Sequence, residues 1–175
     1  SGTGAQQVLC LLDAAGAGVS AALGVGGRDL SAEVAGRGTR AALAALDADP
    51  GTELILVISK PPDAAVAEDV RAYAATLGTP VRFALIDQGL PDLTTSTEDV
   101  LRAIGATVPG WPHWPGAPAE PREGSLRGLF AGGTLCDEAM FIAQERLGPV
   151  GSNIAHDPLH RIDPKTPPAG HVMID

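Results

Sequence analysis

Hydrophobic positions over the first hundred residues alternate between two patterns. Residues 6–15 carry Val8, Leu9, Leu11 and Leu12 on the crowded stripe of a short helix, which Gly16-Ala17-Gly18 stops. Residues 19–25, V-S-A-A-L-G-V, read as a buried strand ending in Gly26-Gly27-Arg28-Asp29. An Ala/Leu-rich helix is expected over 39–48, closed by Asp49-Pro50-Gly51. The continuous apolar run 53–58, E-L-I-L-V-I, marks a strand covered on both faces. A helix over 63–77 follows, with Pro61-Pro62 before it and Gly78 after it. Residues 81–86 form a third strand, and 97–104 a short helix with Glu98 and Asp99 in its first turn. Strands alternating with helices at this spacing predict βα units on a parallel sheet.

From Val108 the periodicity vanishes. The stretch V-P-G-W-P-H-W-P-G-A-P-A-E-P-R-E-G, residues 108–124, reads as a Pro-rich linker in partly polyproline conformation. Trp111 and Trp114 lie within it, either pinning the linker to a neighbouring domain or offering a platform for a base. Beyond the linker the opening grammar returns. Gly132-Gly133-Thr134, a helix, the stop Leu147-Gly148-Pro149 and a β run from Val150 repeat the order Ser1-Gly2-Thr3, helix, glycine stop and Val19. This is an internal repeat of a supersecondary unit.

Composition narrows the possible functions. Hydrophobic content is 45% but aromatics are only 3%, so the core is built mostly from Ala, Val, Leu and Ile. The net charge is −9, and lysine occurs only at Lys60 and Lys165. Without a basic stripe, nucleic-acid binding is not expected. Cys10 and Cys136 form neither a C-x-x-C pair nor a disulfide framework, and no metal is expected. No signal peptide and no apolar run near 18 residues stands out, so a cytoplasmic chain with no membrane partner is expected.

The repeated Gly-Thr turn carries the candidate chemistry. A helix N-terminus has unpaired N–H groups and the positive end of the dipole, and glycine lets an anion approach them. Two copies predict paired anion sites at Ser1, Gly2 and Thr3 and at Gly132, Gly133 and Thr134. Lys60 and Arg28 follow predicted strands, where their charge would favour the same anion; Arg28 could instead pair with Asp29 or Glu33. Cys136 reads as a buried apolar cysteine more than a reactive thiolate.

The segments S-G-T-G-A-Q-Q-V, V-S-A-A-L-G-V-G-G-R-D-L, L-I-L-V-I-S-K-P-P and F-A-G-G-T-L-C-D-E-A-M resemble the FdrA proteins, of the superfamily of succinyl-CoA synthetase and other acyl-CoA synthetases. The resemblance runs over most of the chain and is weakest in the Pro-rich linker. It implies an α/β fold: a flavodoxin-like three-layer parallel sheet over 1–107, the linker 108–124, and a partial second unit over 125–175. It further implies that a CoA-binding domain and a strand precede Ser1 and that more βα units follow Asp175. The chain would then be the middle of a longer protein, with a poorly protected sheet edge. CoA or ATP would be bound only in that longer protein.

Within the superfamily, two helix N-termini cradle a phosphate carried on a histidine. Here the corresponding region, G-L-P-D-L-T-T-S-T-E-D-V (89–100), has no histidine, and Lys60 replaces the glutamate that would hold it. The histidines are His113, His156, His160 and His171, all in the linker or beyond it. The resemblance therefore implies acyl or carbamoyl transfer involving phosphate without a phospho-histidine, as in a subunit of an oxamate carbamoyltransferase. Lys60 would be the catalytic cation, and the partners a small anion (phosphate, acyl or carbamoyl phosphate, or a carboxylate) and other domains or subunits of the enzyme. An ATP-dependent acyl-CoA ligase subunit is the second reading, and a non-catalytic scaffold or anion-sensing module the third.

Overall fold

Parallel strands organise both parts of the chain. The structure, a computed structural model, describes residues 2–116 and 123–175, and these divide into two units, Ser1–Val108 and Pro109–Asp175. Ser1 and residues 117–122 of the expected linker lie outside the described residues.

In the first unit the apolar runs become β1 (Ile55–Ser59) and β2 (Val81–Leu85), paired in parallel with Ile55 opposite Val81 and Ser59 opposite Leu85. Four helices accompany them: α1 (Gly2–Ala14), α2 (Arg37–Asp47), α3 (Ala64–Ala74) and α4 (Leu93–Ala103). Local chemistry sets their starts. The Asp63 carboxylate accepts the N–H groups of Ala65 and Val66 and caps α3, and Asp92 accepts the N–H of Thr95 and caps α4. Alternation along β1 sends Ile55 and Val57 into a core with Leu43 of α2 and Val66, Val70 and Ala74 of α3. The helix α1 lies against α4 and β1, and α4 against β2.

Three expectations need correction here. Residues 19–25 are not a strand: they run as exposed coil, with Val19 at 45% and Leu23 at 51% exposure. Most of this segment is Ser, Ala and Gly, which offer little apolar area to bury, and among the described residues β1 pairs only with β2. The unit's described sheet therefore has two strands. The helix expected from Thr97 begins four residues earlier, at Leu93 behind the Asp92 cap, so Glu98 and Asp99 lie mid-helix and both pair with Arg102. The helix expected from Gln6 already includes Gly2 and Thr3, which form its first turn instead of a loop before it.

The second unit holds β3 (Arg127–Leu129), α5 (Gly133–Leu147), β4 (Val150–Ser152), a 3-10 turn (Pro158–His160) and β5 (His171–Ile174). The sheet order is β3-β5-β4, parallel throughout, so the last strand in sequence is the central one. Cys136, Met140 and Ala143 of α5 pack with Val150, Ala155 and Met173. Gly128 suits this packing, since a Cβ there would lie 2.5 Å from the Met173 sulfur and 2.7 Å from the Phe130 ring, and those side chains would have to shift. Before β3, Trp111 is half-buried and Trp114 is 83% exposed, so Trp114 is not a buried anchor.

Candidate functional site

The first unit places Lys60 directly after the last residue of β1, half-buried, at the carboxyl end of the parallel pair. Arg28 is exposed, Gly2 is exposed and Thr3 half-buried in the first turn of α1. No hydrogen bond or ion pair joins Gly2, Thr3 and Arg28 to one another among the described residues. Ser1 lies outside them.

Beside Arg28 the structure reveals a polar centre that spacing did not announce. Asp29 is buried, and its two carboxylate oxygens reach the N-terminus of α2. Oδ1 accepts the Gly38 N–H at 2.8 Å, and Oδ2 accepts the Thr39 N–H at 2.8 Å and the Thr39 hydroxyl at 2.6 Å. A Cβ on Gly38 would lie 2.8 Å from Asp29 Oδ1, so glycine is what lets the carboxylate in. Burial pushes the Asp29 carboxyl up, but the Thr39 and Gly38 donors and the Arg37 charge outweigh it and hold the group below its ordinary value. An anion does sit at a helix N-terminus here, and it is supplied by the chain. Asp29 is thus committed to α2 and is not the ion-pair partner of Arg28.

The second unit repeats this device at the carboxyl ends of its strands. The Gly132 N–H, at the start of α5, donates to Asp175 Oδ1 at 2.7 Å. Asp175 is fixed in turn by Asn153: its N–H donates to Asn153 Oδ1 and its carbonyl accepts from Asn153 Nδ2, both at 3.0 Å. Gly133 and Thr134 are buried in the first turn of α5, whose N-cap residue, Gly132, has no side chain to cap it. One turn further in, Asp137 is 1% exposed and its Oδ1 lies 3.2 Å from Nε2 of His156, on the loop after β4. The His156 ring also stacks on Phe141, with centroids 6.3 Å apart.

Asp29, Asp137, Asn153, His156 and Asp175 were not singled out by sequence as a connected set. Two signals were present for the second unit. Asp137 interrupts the apolar stripe of Cys136, Met140 and Ala143, and His156 occupies a loop that leaves the carboxyl end of a parallel strand. Asp29 carried no comparable signal, because its partners are nine and ten residues away across an irregular loop. Cys136 is fully buried in the α5 core. Among the described residues no group of His, Cys, Asp or Glu gathers to hold a metal ion, and no helix is long and apolar enough to cross a membrane.

Fold and site together define an α/β protein with short parallel strands in two small sheets and polar groups gathered beyond their carboxyl ends. No protein family profile matches the chain. It is similar to YahF of Escherichia coli strain K12, a protein described as uncharacterized, with 36% identity over an alignment of 195 positions. That alignment takes in all of this chain, which spans 38% of the length of YahF.

Proposed function

We propose that the chain is an anion-binding module of an FdrA-like protein of the acyl-CoA synthetase superfamily, with its first unit belonging to a flavodoxin-like three-layer domain. It serves acyl or carbamoyl transfer involving phosphate without forming a phospho-histidine. In the first unit an anion, a phosphate, acyl or carbamoyl phosphate, or carboxylate, is bound by Lys60 with the first turn of α1 and Arg28; in the second unit the Gly132-Gly133-Thr134 turn is a separate anion site. The observation that carries this is the position of Lys60 directly beyond β1, since open α/β sheets bind ligands outside the carboxyl ends of their strands. An ammonium there stabilises negative charge where a carboxylate would repel it. CoA or ATP, partner subunits and a cytoplasmic setting belong to the longer protein.

A scaffold role is favoured by a different observation, that Asp175 already takes the Gly132 N–H of the second candidate turn. Calorimetry on the longer protein separates the two. Titrated with inorganic phosphate and with carbamoyl phosphate, the enzyme reading expects binding that Lys60→Ala weakens by about 1–3 kcal/mol, the range for charge-assisted hydrogen bonds. Affinity unchanged by Lys60→Ala at low salt, or no binding at all, leaves the scaffold.

A further inference from the structure

We infer that Asp137 and His156 form a proton-transfer dyad, with His156 Nδ1 as general base toward a substrate O–H, N–H or S–H group at the carboxyl end of the second unit's sheet. This goes beyond the anion site and does not depend on which anion is bound.

The geometry assigns the two members different parts. Asp137 is 1% exposed, whereas the His156 side chain is 47% exposed. A carboxylate oxygen accepts, so the bond to Nε2 keeps the ring proton on that nitrogen and leaves the Nδ1 lone pair available. Stacking on Phe141, one helical turn beyond Asp137, fixes the plane of the ring. Asp137 is therefore a positioning residue, and His156 the group that would meet a substrate.

The loop has other ties. The Ile154 N–H is taken by Ser152 Oγ, the Ala155 carbonyl by the Arg161 guanidinium, and the Leu159 N–H by Asp157. Ser152 also receives the Ile162 N–H, which ties down the far side. The Asp137–His156 bond, in addition, orients an imidazole. Burying a carboxylate to orient a half-exposed ring is the arrangement a base requires: in the step, the substrate O–H, N–H or S–H bond breaks, its proton passes to Nδ1, the bonding pair stays on the substrate heteroatom, and the buried carboxylate offsets the imidazolium charge until the proton is returned. His160 provides the contrast. Its Nδ1 faces Asp157 at 3.3 Å, but that carboxylate is half-exposed and three residues away on the same turn.

The test uses the whole chain and two readouts. Nitrogen-15 NMR at neutral pH is expected to find His156 as the Nε2–H tautomer. Diethyl pyrocarbonate, followed by peptide mass mapping, is expected to acylate His156 faster than His160. Asp137→Asn is expected to slow the His156 reaction about tenfold, the order of loss when an orienting partner is removed, and to leave His160 unchanged. An Nδ1–H tautomer in the unmodified chain, or acylation of His156 no faster than His160, overturns the proposal even where Asp137→Asn does not fold. A folded Asp137→Asn chain with an unchanged His156 rate overturns it as well.

Discussion

Asp29 and Thr39 are joined twice: one carboxylate oxygen accepts both the Thr39 backbone N–H, at 2.8 Å, and the Thr39 hydroxyl, at 2.6 Å. The other oxygen takes the Gly38 N–H, so the side chain closes the irregular loop before α2 and caps that helix together. Asp29→Ala removes the cap and leaves buried donors without a partner. The expected loss is about 1–2 kcal/mol, the upper part of the range for a capping residue, read as a lower urea midpoint. A midpoint unchanged within error would show that the loop is held by other contacts.

Acid should weaken the fold through the same kind of group. Asp29, Asp47 and Asp49 all sit below the ordinary carboxyl value of 3.8. For Asp29, burial opposes the shift and the Thr39 and Gly38 donors overcome it; for Asp47 the Thr79 N–H leads, and for Asp49 the Gly51 N–H. A lowered folded value means that the unfolded chain binds more protons in the acid range, so stability rises with pH there. These contributions are complete above about 3.8 and are lost as pH falls through the lowered folded values. Urea unfolding across the acid range should show this slope, and Asp29→Asn should flatten it. A slope that Asp29→Asn leaves intact would assign the effect to other carboxyls.

Gly36 has φ +67°, and a Cβ added there would lie 2.8 Å from Val70 Cγ2 in the α3 core. Strain and overpacking therefore act together in Gly36→Ala, with an expected cost of about 1–3 kcal/mol. The variant should unfold at lower urea with little change in far-ultraviolet circular dichroism at zero denaturant. A neutral result would mean that the turn re-forms around the methyl group.

Neighbours on α4 should behave oppositely. Leu101 is fully buried, and Leu101→Ala is expected to cost about 2–5 kcal/mol. Arg102 is 56% exposed and pairs with Glu98 and Asp99 in water, so Arg102→Ala should stay within about 1 kcal/mol. Equal losses from the two substitutions would contradict the packing of this helix.

Ile55–Ser59 was legible because β-branched and aliphatic side chains in a short unbroken run suit a covered strand, and Val81–Leu85 because a short apolar run survives the interruption by Arg82. Residues 19–25 share that texture only in outline. Their valines and leucine are separated by Ser, Ala and Gly, and whether a neighbouring strand exists to pair with them is a non-local fact that periodicity cannot carry. The candidate site divides in the same way. Lys60 was legible because its place beyond a strand follows from chain order. The Asp29–Thr39 cap and the Asp137–His156 pair depend on where loops return, over separations of 10 and 19 residues.

The position of β5 between β3 and β4 bears on how the second unit comes into being on the ribosome. Translation delivers the two flanking strands first and the one that bridges them last. Leu126, just before β3, exchanges water for a partner 45 residues downstream, His171 Nδ1. A nascent chain halted before Val172 would present two short strands with no template between them, and α5 would have only part of its floor. Closing that distance costs chain entropy before any ladder bond repays it. The first unit carries its two strands as consecutive neighbours around α3, so it can assemble while the second is still being synthesised.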